Sequence, residues 1–287
     1  MKIGSRTAAS AVLALTAAFG LSACGNAIVG SQPAAEEKVK TIEDGTLTIG
    51  ISPDFPPMEY LDPSTNALTG ADVDLATELS KRIGLKVNFV QQKFDQLINS
   101  VRTNRVDMVL SGLSDTAERQ KTLDFVDYFN SQGRFYTTAS QKDNFTKDTD
   151  VCGKAVAVAS VTDYYPALQA FSKKVCTDAG LAAVNIVSTD SGAAARLQLD
   201  QGRAVLAIQG AENLAYYNQQ TPGKYPVLLS PVNQAPYGVA FAKGNTALEN
   251  KGLAGLQQMK DDGTSKKILD KYGVGYGVRD TKINEVK

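Results

Sequence analysis

Short apolar runs alternate with amphipathic segments from Thr46 onward, and this alternation constrains the fold more than any other feature of the sequence. In the first half it predicts strands over 47–51, 85–90 and 106–110, separated by helices over 71–83 and 94–103. This order predicts a doubly wound α/β sheet. Ligands of such sheets bind at the carboxyl ends of the strands, so the residues that follow the predicted strands should converge on one cleft.

A second α/β unit follows residue 133. The pattern predicts strands over 134–139, 154–159, 184–187 and 205–208 and helices over 167–175, 193–199 and 211–219. A strand over 238–242 then returns to the first unit, followed by a helix over 248–260 and a last helix up to Tyr272. The chain therefore crosses twice between two doubly wound α/β lobes, and the two crossing strands form a hinge. The predicted limits are 45–135 with 236–287 for lobe 1, and 136–235 for lobe 2.

The first 23 residues are predicted to be a signal peptide. Two basic residues precede an apolar run over 8–21, which is too short to span a bilayer in the ordinary way. The sequence Leu21-Ser22-Ala23-Cys24 resembles a bacterial lipobox, which implies cleavage before Cys24 and its lipidation; the alternative is an ordinary secretory signal with an incidental cysteine. Acyl chains would anchor the protein to the outer face of the cell membrane. The polar segment 24–44 is predicted to be a flexible tether.

Composition and cysteine count narrow the possible functions. The chain has thirty basic and thirty acidic residues, and two of the basic ones lie in the signal peptide, so 28 against 30 remain. This balance, without a basic cluster that interleaves aromatics, argues against a nucleic-acid partner. Histidine is absent, which removes His-dependent acid–base catalysis and imidazole metal sites. No metal site and no cofactor is expected. The two cysteines after Cys24, Cys152 and Cys176, predict a disulfide in an exported protein; the alternative is two buried thiols.

Residues 106–120 combine an apolar strand, a hydroxyl-rich turn and a predicted helix start. Asp115 stands three residues before Glu118, which is the capping-box spacing and predicts that the helix begins there. Backbone N–H groups at a helix start suit an anionic group, and the planar fork of Arg119 suits a carboxylate. The alternative for Arg119 is an exposed position on a solvated helix face.

Three motifs in order resemble the family-3 solute-binding proteins, which are the polar-amino-acid receptors of ABC importers. Residues 111–120, Ser-Gly-Leu-Ser-Asp-Thr-Ala-Glu-Arg-Gln, resemble the family signature together with Leu-Asp-Phe-Val-Asp-Tyr-Phe over 123–129. Residues 47–60 resemble the family's first strand and loop, and residues 70–75 resemble its Gly-Phe-Asp-x-Asp-Leu motif, with Ala71 in place of the aromatic. The likeness extends from about residue 46 to 273 and implies a periplasmic-binding-protein-like fold of type II.

The resemblance also implies a set of ligand contacts. Phe55 and Phe94 match positions where the family sandwiches the ligand between aromatic or apolar side chains. Arg119 matches the arginine that binds the ligand carboxylate, and Thr162 matches a threonine at a helix start in the second lobe. The turn positions that bind the α-carboxylate and α-ammonium match Ser111, Gly112 and Ser114.

Several positions depart from the family pattern. Ser52 stands where many relatives carry a ligand-binding Asp, which argues against a ligand with a cationic side chain, and Val161 replaces a glycine. The family's ammonium-binding Asp corresponds to Gly210, with Gln209 beside it as a candidate contact. Two explanations remain open. Either another acid has taken the role, with Asp163 as the candidate, or the ligand has no free primary α-ammonium and standard amino acids bind weakly. The alternative for Asp163 is an ordinary helix N-cap.

Two function classes compete for this chain. The first is a monomeric, lipid-anchored receptor that binds an amino acid or a similar small carboxylate and delivers it to an ABC permease. The second is an enzyme on the same fold, because some periplasmic dehydratases resemble this family. The absence of histidine, of a free nucleophilic cysteine and of metal-ligand spacing favours the receptor over the enzyme.

Overall fold

The structure, a computed structural model, describes residues 39–286. Its strands are β1 (Thr46–Ile51), β2 (Asp54–Phe55), β3 (Glu59–Leu61), β4 (Leu68–Thr69), β5 (Lys86–Gln91), β6 (Met108–Val109), β7 (Leu123–Tyr136), β8 (Ala155–Ala159), β9 (Asn185–Thr189), β10 (Leu206–Gly210) and β11 (Val227–Ala242). Its α-helices are α1 (Ala71–Arg82), α2 (Phe94–Arg102), α3 (Ala117–Gln120), α4 (Tyr164–Val175), α5 (Gly192–Asp200), α6 (Ala211–Gln220), α7 (Thr246–Asp261) and α8 (Thr264–Lys271). Short 3₁₀ helices occupy Lys142–Asn144, Asp148–Val151, Thr177–Ala179 and Gly275–Gly277.

Eight strands form one sheet in the order β5-β1-β6-β11-β7-β10-β8-β9. At one end β1 is parallel to β5 and β6, and at the other end β8 is parallel to β9 and β10. The antiparallel pair β7 and β11 lies between these two parallel groups and joins them. This topology confirms the predicted fold of two doubly wound α/β lobes linked by two strands. The residue limits of the lobes stay a prediction.

The two linking strands are much longer than predicted. The sequence predicted strands over 134–139 and 238–242, whereas β7 has 14 residues and β11 has 16. β7 is buried along most of its length, so the alternation of polar and apolar residues that reveals a half-buried strand is missing. In β11, Pro231 and Pro236 argue against a strand, and the pairing is indeed irregular between Leu228 and Asn233.

Each lobe has its own apolar core. In the first lobe, Leu75 and Leu79 of α1 pack against Leu47 and Ile49 of β1, as the amphipathic pattern predicts. In the second lobe, Leu168 of α4 packs in a cluster with residues of β8 and β10. The predicted disulfide between Cys152 and Cys176 is present beside this second cluster.

The predicted helix start at Asp115 is wrong. Helix α3 begins at Ala117, and its N-cap is Thr116, whose side chain accepts from the backbone N–H of Arg119 at 3.2 Å. Asp115 is fully buried, and its backbone N–H donates to the carbonyl of Pro236, so the residue belongs to an extended segment beside β11. Its carboxylate accepts from Gln120 instead of capping the helix.

Some elements escaped prediction, and some predictions lie outside the described residues. The small sheet β2-β3-β4 was not predicted, because its strands have only two or three residues. Cys24, the signal peptide and most of the predicted tether fall outside residues 39–286. Within that range no helix is long and apolar enough to cross a membrane.

Candidate functional site

A cavity of about 330 Å³ opens where the carboxyl ends of strands from both lobes meet. Residues 54–55 follow β1, Gly112 follows β6, residues 159–163 end and follow β8, and residues 190–192 follow β9. This is the position that the doubly wound topology predicts for a ligand. Six predicted site residues line the cavity: Phe55, Phe94, Gly112, Thr162, Asp163 and Gln209.

Aromatic side chains form part of the cavity wall. Besides the predicted Phe55 and Phe94, the wall contains Tyr164 and Tyr237, which sequence reasoning missed. The rings of Phe55 and Tyr237 pack edge to face with centroids 6.3 Å apart, and the hydroxyls of Tyr164 and Tyr237 lie 2.9 Å apart. These faces can stack on a planar group or lie against a cation.

Ser52 and Ser111 do not line the cavity. The Ser111 hydroxyl donates to Glu59 at 2.7 Å and accepts from the backbone N–H of Ser52 at 2.9 Å, so it is fully engaged inside the lobe. The Ser52 hydroxyl donates to Asp54 at 3.1 Å. Ser52 therefore supports Asp54, which lines the cavity, whereas Ser111 supports Glu59 and the backbone of Ser52, which do not.

Arg119, Ser114 and Asp163 form a chain of contacts that links the lobes directly beside the cavity. Arg119 Nη1 donates to the carbonyl of Ser114 at 2.8 Å, and the Ser114 hydroxyl donates to Asp163 Oδ1 at 3.0 Å. Asp163 Oδ2 accepts from Asn233, so Asp163 occupies the N-cap position of α4 but its side chain makes no cap bond to the helix. Burial lowers the pKa of Arg119, and the negative charge of Asp163 opposes that shift. Only Asp163 of the three lines the cavity.

An acid that sequence reasoning missed occupies the space beside Gly210. A Cβ atom built on Gly210 would lie 2.0 Å from Oε1 of Glu212, so the Glu212 carboxylate lies where a side chain of residue 210 would begin. Glu212 is fully buried and accepts hydrogen bonds from Ser131, at 3.1 Å, and from Tyr237. Burial raises the pKa of Glu212 to about 7. The only signal in the sequence was an acid two residues after the expected one.

Charged side chains around the cavity are mostly acidic. Asp54, Asp95, Asp163 and Asp190 line it, against the single base Lys93. Three of these acids were not predicted as site residues, because they come from three separate loops and helix starts that only the fold brings together. Within residues 39–286 no group of three or more acidic or cysteine side chains is arranged to hold a metal ion.

The lobes touch at further points around the cavity. The Asn213 amide donates to the carbonyl of Pro56 at 2.5 Å, and the rings of Tyr60 and Tyr216 lie 5.7 Å apart. Together with the bond between Ser114 and Asp163, these contacts join the two sides of the cleft.

Comparison with known proteins assigns the chain to a family. Residues 47–275 match the bacterial extracellular solute-binding proteins, family 3, and the chain belongs to that family. It is 29% identical over 231 residues to the L-cystine-binding protein TcyA of Bacillus subtilis, covering 79% of this chain and 81% of that protein. Its fold is similar to that of an ancestral arginine-binding protein bound to arginine, with a TM-score of 0.70 and 32% identity over 80% of this chain and 98% of the other.

A further structural neighbour bears on the question of catalysis. The ancestral amino acid-binding protein AncCDT-1, described as a precursor of cyclohexadienyl dehydratase, has a TM-score of 0.70 and 30% identity, covering 79% of this chain and 95% of the other. A solute-binding role follows from the family, whereas the ligand does not.

Proposed function

We propose that this protein is the lipid-anchored receptor of an ABC importer and that its ligand is an amino acid with a cationic side chain. The single observation that carries the ligand class is the excess of acids around the cavity, four against one base. The lipid anchor rests on the lipobox-like sequence that ends in Cys24.

The two ends of an amino acid have partners in this arrangement. Arg119 supplies the cation for the α-carboxylate, one layer behind the cavity wall and 6.0 Å from the Phe94 ring. Asp163 lines the cavity and Glu212 lies behind Tyr237, so an acid is available for the α-ammonium although residue 210 is glycine. This favours the substitution of another acid over a ligand that lacks a primary ammonium, since an unpaired buried charge is very costly.

The remaining charges favour a second positive charge on the ligand. Once Arg119 and Asp163 serve the ligand's α-groups, three acids and one lysine remain, a net charge of −2. Asp54 also accepts a hydrogen bond from Ser52, the residue that replaces the Asp of many relatives, so an acid stands two positions further along the same loop. One structural neighbour is described as bound to arginine, which agrees with this ligand class.

L-Arginine and L-citrulline test the ligand class, because they have nearly the same shape and differ in the side-chain charge. We expect calorimetry to give arginine at least about tenfold tighter binding, a difference of roughly 1.4 kcal/mol. The preference should shrink at high salt, since Asp54, Asp95 and Asp190 are exposed. Asp54→Asn should reduce the preference, whereas Asp62→Asn, in a loop outside the cavity lining, should not. Equal affinity for the two ligands would contradict a ligand with a cationic side chain. Tighter binding of L-cystine than of L-arginine would make L-cystine the better candidate ligand.

A pair of amide variants identifies the acid that serves the α-ammonium. If Asp163 contacts the ammonium, Asp163→Asn should weaken L-arginine binding by about tenfold or more, while Glu212→Gln changes it less. If Glu212 contacts the ammonium, Glu212→Gln should weaken binding more than Asp163→Asn. In that case Glu212→Ala should lose binding, and adding Gly210→Asp to it should restore the binding. Binding unaffected by either amide variant would rule out both acids.

A catalytic role is the second candidate, because one structural neighbour is described as a dehydratase precursor. A pKa of about 7 would suit Glu212 to acid–base chemistry. Against this, the Glu212 carboxylate is fully buried and does not line the cavity. Incubation of the protein with ligands that it binds, followed by mass spectrometry, separates the two roles, since a receptor returns its ligand unchanged.

A further inference from the structure

Two carboxyl groups are buried together behind the turn that contains Gly112. Glu59 begins β3 and Asp72 lies in the first turn of α1, and both residues are 0% exposed. The backbone N–H of Asp72 donates to the carbonyl of Met58, so the start of α1 is fixed against the residue that precedes Glu59. The other ionisable groups that interact with the pair are Tyr128, Asp54 and Glu212, and none of these three can supply a positive charge.

Hydrogen bonds divide unequally between the two carboxyl groups. Asp72 accepts from the backbone N–H of Gly112 at 2.7 Å, and the Tyr128 hydroxyl donates to both of its oxygens, at 2.8 and 2.9 Å. Glu59 Oε1 accepts from the Ser111 hydroxyl at 2.7 Å, whereas Glu59 Oε2 is buried and receives no donor. The hydrogen-bond donors around Asp72 therefore suit an ionised carboxylate. The surroundings of Glu59 suit a neutral carboxylic acid that has a proton to donate.

Electrostatics leads to the same assignment. Two adjacent buried carboxyl groups cannot both ionise cheaply when none of the groups that interact with them, within residues 39–286, is a cation. Burial and the negative charge of Asp72 raise the pKa of Glu59 well above its ordinary value. A proton on Glu59 Oε2, donated to Asp72, gives the otherwise unpartnered oxygen a bond and removes the repulsion.

We propose that Glu59 and Asp72 share one proton, and that this proton holds residues Ser111 and Gly112 in the conformation that binds the ligand. The turn depends on both acids, because Glu59 holds the Ser111 side chain and Asp72 holds the Gly112 backbone. Gly112 lines the cavity and has a φ of +49°, a conformation that few other residues adopt, so its geometry is tightly specified. Glu59 and Asp72 are positioning residues, since neither lines the cavity.

The sign of the pH dependence follows from the raised pKa of Glu59. The folded protein retains a proton that the unfolded chain releases near the ordinary glutamate pKa, so the stabilisation is fully present at low pH and is lost as pH rises toward the raised value. The melting temperature of the ligand-free protein should therefore fall with rising pH. The second measurement, after the melting temperature, is the affinity for L-arginine. The choice of this ligand rests on the proposed function. The affinity should fall as pH rises toward the raised pKa of Glu59, because loss of the shared proton releases the bond network that holds Ser111 and Gly112.

Three variants test the shared proton. Glu59→Gln retains a donor toward Asp72 and an acceptor for Ser111 but cannot titrate, so its melting temperature and affinity should lose this pH dependence. Glu59→Ala removes the bond to Asp72 and the bond to Ser111, so it should weaken binding at every pH. Glu59→Gln keeps both bonds and should bind more tightly than Glu59→Ala. Asp74→Asn is the matched control, because Asp74 lies on the same helix but bonds to Lys271 and Tyr272, and it should follow the wild type.

The difference between wild type and Glu59→Gln isolates the pair from other titrations. Changes in the ligand's own charge, and in Asp127, whose pKa is raised to about 7, affect the two proteins alike. A glutamine variant with the wild-type pH profile of melting would overturn the proposal. If no variant binds any amino acid at any pH, the proposed function fails, and the melting profiles of the ligand-free proteins still decide whether the proton is shared.

Discussion

Arg119→Ala should weaken L-arginine binding by at least about thirtyfold, because removal of one partner from a buried, hydrogen-bonded charge pair costs roughly 2–5 kcal/mol. Burial lowers the pKa of Arg119, one of its guanidinium nitrogens donates to the carbonyl of Ser114, and the charge of Asp163 lies nearby. Loss of the guanidinium would remove the cation for the ligand carboxylate and leave Asp163 without its compensating charge. Isothermal titration calorimetry on the folded variant measures the effect.

Arg119→Lys is the informative control for this prediction. Lysine keeps the positive charge but loses the planar fork that binds a carboxylate through two parallel bonds. Its affinity should therefore lie between those of the wild type and the alanine variant. If the alanine variant has a wild-type melting temperature and an unchanged dissociation constant, Arg119 serves only to hold Ser114, and the carboxylate needs another partner.

The sequence predicted the parts of the fold that depend on local pattern. The helices α1 and α2 appear within one or two residues of their predicted limits, because their apolar periodicity and terminal residues are local signals. The long strands β7 and β11 were underestimated, because burial along β7 and prolines in β11 hide the strand pattern. The neighbours of a long antiparallel strand pair are set by the folded sheet. A short stretch of sequence therefore does not reveal them.

The candidate site was partly predictable for the same reason. Phe55 and Phe94 follow strands and line the cavity, as topology requires. Ser111 was predicted to contact the ligand, but its hydroxyl is bound to Glu59, a residue 52 positions earlier in the chain. Glu212 was missed because its side chain reaches back over Gly210, which no periodicity reveals. A pattern locates the backbone of a site, whereas the direction of each polar side chain depends on distant partners.

Loss of the disulfide should destabilise the second lobe without weakening ligand binding. Cys152 and Cys176 are 24 positions apart, and closing a loop of that length contributes roughly 3–4 kcal/mol in the chain-entropy model. Cys176 is fully buried in the apolar cluster of that lobe, so a replacement must also be apolar to avoid a second cost. The variant with both Cys152→Ala and Cys176→Ala removes the bond with the smallest chemical change.

Urea unfolding of the ligand-free protein measures this loss. The chain has no tryptophan and 11 tyrosines, so far-ultraviolet circular dichroism and tyrosine fluorescence follow the transition. We expect a lower midpoint and a steeper slope, because the folded surface stays the same while the unfolded chain loses a cross-link and exposes more surface. L-Arginine affinity below the transition should remain close to the wild-type value, since neither cysteine lines the cavity. A double variant that unfolds at the wild-type urea concentration would show that the contacts of the second lobe, and not the covalent loop, determine its stability.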